Sequence, residues 1–384
     1  MHKKRALFLH ELRRSWWICL VGVIMALMGV FIVWESVAAN LWQYDDIYSM
    51  LEMMNIPVGS LFSTALVQTI QIGHHVLVVA IAVMMLLVYL DSHNRKNEEY
   101  IQCLPYTRTQ RFLTKTLLMY AYITITCLVF SGGVIAVRQA NIDKIQYNSL
   151  LSPVYEGLLA NETIWHTIRS LVLFWLIIMT LYTVFLMVHS LVNSSAMASL
   201  MTVGVITAPK VLVWTINQFY IIFTGRNLIN YASLSRLSDI FWGNATYVGA
   251  EGGNPMAVYD TVYYITDDNL STYVISYDNM LLQACLMVII LAAALLIAWN
   301  ANKRYDLAKD RRLVSATWAR YVFAIGAGLC TGAGIAVLVG NVALGVQEVE
   351  YSLSAGVTGL TALLLAGGGF SILYYLLFKI KVKN

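Results

Sequence analysis

Charge is scarce in this chain: only 12% of its 384 residues are Asp, Glu, Lys or Arg, against 59% hydrophobic. An ordinary soluble domain carries about 25% charged residues, so a water-soluble globular fold is excluded. Proline is equally sparse, at five residues, which leaves long stretches without a helix breaker. The five cysteines, Cys19, Cys103, Cys127, Cys285 and Cys330, are scattered with no C-x-x-C among them, which argues against a disulfide framework or structural zinc. Catalytic signatures are missing as well. There is no H-E-x-x-H, no G-x-S-x-G, and no cluster of carboxylates or histidines inside an apolar run. The phosphate-cradling G-x-x-x-x-G-K-[ST] is also missing, so this chain is not expected to be an enzyme or to hold a cofactor of its own. His74 and His75 read as a polar cap at a span end, and Asp91 with His93 is no stronger a site.

What the chain has in abundance is apolar length. Mean hydropathy is +0.67. Spans that cross about 30 Å of hydrocarbon need roughly 20 mostly apolar residues. About eight are expected, near 16–34, 73–90, 117–137, 168–188, 194–216, 280–299, 321–345 and 353–378. The first lacks a small-residue cleavage pattern and is expected to be retained rather than removed as a signal peptide. With the start of the chain inside, nineteen of the 25 basic residues fall on inner segments, which places both termini in the cytoplasm.

The fold class expected is therefore an all-α polytopic membrane protein. "MHKKRALFLHELRRSWW" brings Leu7, Phe8 and Leu12 together at helical spacing among basic residues. It reads either as an N-terminal amphipathic interfacial helix or as a plain basic anchor. An outer loop at 35–72 is expected to hold an interfacial helix and a turn. The turn between the fourth and fifth spans, "HSLVNSSAMAS", suits a tight cytoplasmic connection, and the outer segment 217–279 contains "AVYDTVYYIT" and "LSTYVISY", which predict a small extracellular β-hairpin.

The longest polar interval in the first half is "EEYIQCLPYTRTQRFLTK", on the inner side between the second and third spans. Pro105 stops a short helix at Leu104, and "TRTQRFLTKTLL" restarts as the approach to the third span. The pattern Glu99, Leu104, Pro105, Thr107, Arg108 and Lys115 resembles the coupling-helix region of ABC-2 type transporter permeases. The resemblance takes in the basic start, the tight fourth-to-fifth turn and the outer excursion before the sixth span, and covers about residues 1–300. It implies a permease-like core, with 301–384 adding a cytoplasmic linker and two further spans. It also implies cytoplasmic ABC ATPase subunits that carry ATP and Mg, a second permease subunit, identical or not, and a setting in the lipids of a bacterial plasma membrane. Nucleic acid is not among the expected partners. Glu98, Glu99, Arg108 and Arg111 would then meet the ATPase surface. Two features depart from the family pattern: Asn97-Glu98 stands where many members have Gly-Thr, and the last two spans have no counterpart in the six-span plan.

The resemblance implies the membrane subunit of an exporter, and the acidic, tyrosine-rich outer segment points toward an amphipathic peptide, lipid or drug. A polytopic scaffold or sensor that docks cytoplasmic partners is the competing reading. An ion-coupled carrier would need acids inside spans, whereas Glu35 and Asp91 stand at span ends. Lys210, directly after Pro209, has two readings. Either the fifth span runs through the proline and buries a lysine at a path or interface, or it ends near Ala208 with a re-entrant segment beyond; the second is favoured here. Gly328 and Gly332, four apart, permit close helix approach, within one subunit or between two.

Overall fold

The computed structural model describes residues 2–53, 79–87, 106–141, 164–224, 262–267, 270–275, 280–304, 314–345 and several helical residues between 359 and 375. The helices are α1 (His2–Met53), α2 (79–87), α3 (Arg108–Ala140), α4 (Ile164–His189), α5 (Ser195–Thr224), α6 (Met280–Arg304) and α7 (Thr317–Gly345). Strands β1 (Val262–Asp267) and β2 (Leu270–Ile275) precede α6 and pair antiparallel, Val262 opposite Ile275 and Asp267 opposite Leu270. Among the described residues five helices are long and apolar enough to cross a membrane: Ala6–Glu35, Arg108–Ala140, Leu171–His189, Ala196–Gln218 and Ala284–Arg304. The chain is a helical membrane protein. The expected second and eighth spans, at 73–90 and 353–378, lie largely outside the described residues, and α7 covers the seventh.

Two expectations are corrected. An interfacial helix or basic anchor, a first span at 16–34 and a separate outer helix were expected in succession, but α1 is one unbroken helix of 52 residues; the outer turn expected beyond Met53 lies outside the described residues. Its sequence holds no proline, and "WESVAANLWQYDDIYSMLEM" is filled mainly with residues that tolerate or favour helix, so nothing local ends it at the membrane boundary. The fifth span was expected to stop near Ala208; instead α5 continues through Pro209 to Thr224. Proline removes only one backbone donor, and membrane surroundings favour keeping the remaining backbone hydrogen bonds within the helix.

The chain divides into two compact units interleaved along the sequence. The first holds Met1–Ser92, Pro105–Tyr182 and Gly243–Ile289; the second holds His93–Leu104, Thr183–Trp242 and Ile290–Asn384.

In the first unit α1 and α3 lie side by side and run in the same direction. Ser15 meets Tyr122, Gly22 meets Thr126, and Val30 meets Gly133, so contacts climb both helices together. The residues of α1 that face inward are Leu7, Glu11, Ile18, Gly22, Ala26, Gly29 and Val33, a stripe at helical spacing. Phe8, which the sequence reading grouped with Leu7, is 41% exposed. Small residues set the approach. A Cβ on Gly22 would lie 2.6 Å from Thr126 Oγ1 and 2.5 Å from Met84 Sδ of α2. On the other flank of α3, Phe130 packs against Phe174 at 6.2 Å between ring centres, and Tyr120 meets Tyr182 edge-on at 5.2 Å. Trp175 Nε1 donates to Thr124 Oγ1 at 3.2 Å, and Thr180 Oγ1 donates to Leu176 O at 2.8 Å and reaches Met287 O at 3.3 Å. Hydrogen bonds between helices and shape-matched small residues take over the role that hydrophobic burial plays in water.

In the second unit the α4–α5 turn and the segment before α7 close on each other. Val192 and Val314 form an isolated antiparallel bridge, and Ser315 N donates to Leu191 O at 2.9 Å. Val188, Leu191, Val192, Ala198, Ala301, Val314, Ala316, Ala319 and Ala324 bury around this join. Arg320, 3% exposed, donates from Nε to Val314 O at 2.7 Å and from Nη2 to Ser315 O at 3.1 Å.

Candidate functional site

The start of α3 is built by a local cap. Thr107 takes an extended conformation (φ −68°, ψ 152°), its Oγ1 accepts from Gln110 N at 3.3 Å, and Gln110 Oε1 accepts from Thr107 N at 3.2 Å. This reciprocal pair satisfies two backbone donors that a helix start leaves open, and it fixes where the helix begins. Arg108, Arg111 and Lys115 then fall at i, i+3 and i+7, half-buried along one face. Leu118, Met119 and Tyr122 continue that face toward α1.

Of the residues singled out in the sequence, Thr107, Arg108, Arg111 and Lys115 are thus brought onto one short stretch of helix. Glu98, Glu99, Leu104 and Pro105 lie outside the described residues, as do His74, His75, Asp91 and His93. Lys210 stands exposed on α5, within Ala196–Gln218. Gly328 and Gly332 are both buried within the chain itself, which favours packing inside one subunit over a dimer face. Cys19, Cys127, Cys285 and Cys330 are free thiols.

Beside Lys115 the first unit contains a cavity of about 310 Å³. Glu11, Arg14, Ser15, Trp17 and Ile18 of α1, Leu87 of α2, and Lys115, Leu118, Met119 and Tyr122 of α3 line it. Ser15 Oγ donates to Glu11 O at 2.7 Å, so the 2.9 Å contact between Ser15 and Tyr122 has the phenol as donor. Trp17 Nε1 donates to Arg14 O at 3.1 Å. The wall is therefore held from both helices. Sequence reading singled out Lys115 here but missed Glu11, Arg14, Ser15 and Tyr122. The signal was present: Glu11 is the one acid in a strongly basic start, and it shares a helical face with Leu7 and Ile18.

Comparison of the chain with family models, curated proteins and solved structures returns no match.

Proposed function

We propose that the chain is the membrane-spanning permease subunit of an ATP-driven transporter of the ABC-2 type, an exporter of an amphipathic peptide, lipid or drug in a bacterial plasma membrane. The observation that carries this reading is the parallel pairing of α1 and α3. Because the two helices run in the same direction, Arg13 and Arg14 near the start of one lie on the same side of the membrane as Arg108, Arg111 and Lys115 at the start of the other. Basic residues concentrate on the cytoplasmic side, so this shared end is the cytoplasmic one and the paired strands are extracellular. A capped, rigid helix start directly after the polar segment "NEEYIQCLPY" suits a handle through which a cytoplasmic ATPase moves a transmembrane helix. ATP and Mg belong to that partner. A second permease subunit would face α5 and α6, whose membrane-length stretches are only 11% and 22% buried within the chain.

The test is copurification. The tagged full chain, mildly solubilised from native membranes, is expected to bring an ATPase subunit with it. Glu99→Ala and Arg108→Ala are expected to release that subunit or lower its stimulated hydrolysis by about tenfold, the effect of losing one interfacial charge contact of roughly 1.4 kcal/mol or more. If no ATPase appears even after crosslinking, the scaffold reading replaces this one.

Lys210 gives a separate prediction. An exposed lysine within a span costs a few kcal/mol to insert and is kept where it serves a path or a partner. Lys210→Leu is expected to leave the melting temperature unchanged or raised and to lower substrate-stimulated hydrolysis in reconstituted vesicles. Unchanged hydrolysis would assign Lys210 to neither role.

A further inference from the structure

We infer that the outward face of α1 at its cytoplasmic end is a binding surface for anionic phospholipid, the phosphatidylglycerol class, with Arg13 as its central cation. The first argument is continuity. Leu9, Arg13, Trp16, Leu20, Ile24 and Leu27 recur at steps of three and four residues, and every one of them is exposed. A single line thus carries a bilayer-facing apolar stripe straight into a guanidinium, and a molecule seated along it needs acyl chains at one end and an anionic head at the other. Among the described residues Arg13 makes no hydrogen bond or ion pair. Arg14 is half-buried, already engaged, and lies off this line.

The second argument is depth. The apolar stretch Ala6–Glu35 has 30 residues. At 1.5 Å per residue it is about 45 Å long against roughly 30 Å of hydrocarbon, so about five residues at each end stand at headgroup level. Trp16 and Trp17, both exposed, mark that boundary as interfacial tryptophans do, and Arg13 stands one turn to their cytoplasmic side. The third argument is charge. Lys3, Lys4 and Arg5 occupy the start of α1, whose first turn holds no acid. Cations there work against a helix dipole whose N-terminal end is already positive, so the helix itself does not favour them. The nearest acid, Glu11, is 6% exposed and turned inward. Lys3, Lys4, Arg5 and Arg13 therefore act without an offsetting carboxylate on the outward face, the pattern that concentrates anionic headgroups. Zwitterionic lipids offer the same phosphate, but their own cation cancels much of the attraction. Holding basic residues inside during insertion also uses these side chains, yet it gives no lipid preference to the assembled protein. This inference depends on α1 and the bilayer and not on an ATPase partner.

The experiment is tryptophan quenching by brominated lipid. The full chain is reconstituted in phosphatidylcholine vesicles that contain a fixed minor fraction of brominated phosphatidylglycerol or of brominated phosphatidylcholine with the same acyl chains. The glycerol lipid is expected to quench more than the choline lipid, and the excess to shrink at high salt as the charges are screened. Trp16→Phe together with Trp17→Phe is expected to remove the excess, which places it at this face. Arg13→Gln is expected to weaken phosphatidylglycerol binding by about fivefold, and Lys3→Gln, Lys4→Gln and Arg5→Gln in one chain to weaken it further. Brominated phosphatidylcholine should quench the basic-residue variants as it does the original, which checks that each still sits folded in the bilayer. Equal quenching by the two lipids in the unaltered chain would overturn the inference. An excess that survives loss of both tryptophans would overturn it as well, and one that survives removal of all four cations would assign the basic start to insertion alone.

Discussion

Gly133→Leu is expected to abolish recovery of a monodisperse protein in size-exclusion chromatography, while the neighbouring Gly132→Ala leaves it intact. The two glycines are adjacent in α3 but face opposite conditions. A Cβ at Gly133 would collide with Val30 of α1, whereas a Cβ at Gly132 meets no atom within 4 Å. Val30 cannot swing aside cheaply, because it is β-branched and strongly restricted at χ1 in a helix. Even Gly133→Ala therefore pushes α1 and α3 apart and costs about 2 kcal/mol, in the range of overpacked sites. Leucine adds three more carbons to the same clash. Gly132→Ala carries no such clash and relieves the helix of a flexible residue, so it is expected to stabilise by up to about 1 kcal/mol. Opposite shifts in melting temperature for the two alanine variants would verify the close parallel approach of the helices. Shifts of the same sign would show that α1 and α3 do not meet there.

The second large effect is expected at Arg320. Its guanidinium is almost fully buried and donates to the carbonyls of Val314 and Ser315, the strand-like residues that bridge to the α4–α5 turn. Arg320→Ala removes both charge-assisted bonds and leaves two buried acceptors without their donors, at about 3 kcal/mol. Arg320→Met keeps most of the packing volume but not the donors. It is expected to lose nearly as much, because the hydrogen bonds rather than the hydrocarbon stem hold the join. Thermal unfolding in detergent measures the loss, and hydrogen exchange locates it: protection should fall at Val192 and Ser315 before it falls in the paired helices α1 and α3. An Arg320→Met variant as stable as the original would show that packing alone closes the turn.

Residue pattern alone reached the coarse architecture for a physical reason. A bilayer imposes a length and an apolarity on every spanning helix, and both are written locally, so α3, α4, α5 and α6 could be placed without knowing their neighbours. The start of α3 was legible in the same way, because Thr107 and Gln110 stand at the spacing of a reciprocal cap just beyond Pro105. Where the reading failed, the deciding fact was an omission or a compensation. Nothing in α1 stops the helix at the membrane boundary, and hydropathy marks that boundary but does not break a backbone. Pro209 does break the backbone pattern by one donor, yet membrane surroundings favour keeping every other hydrogen bond within the helix.

Composition and spacing by themselves determined that this protein lives in a membrane, roughly where its spanning segments fall, and that a helix restarts among basic residues after Pro105. Only the tertiary structure decided which helices share a direction, because packing is a relation between distant residues: Val30 with Gly133, and Ser15 with Tyr122. It also turned Glu11, one acid among many bases, into a buried carboxylate beside Arg14 and Lys115. The chemistry of that cavity exists in neither helix alone. It arises because small residues along α1 and α3 let the two backbones come close enough to place three charges around one space.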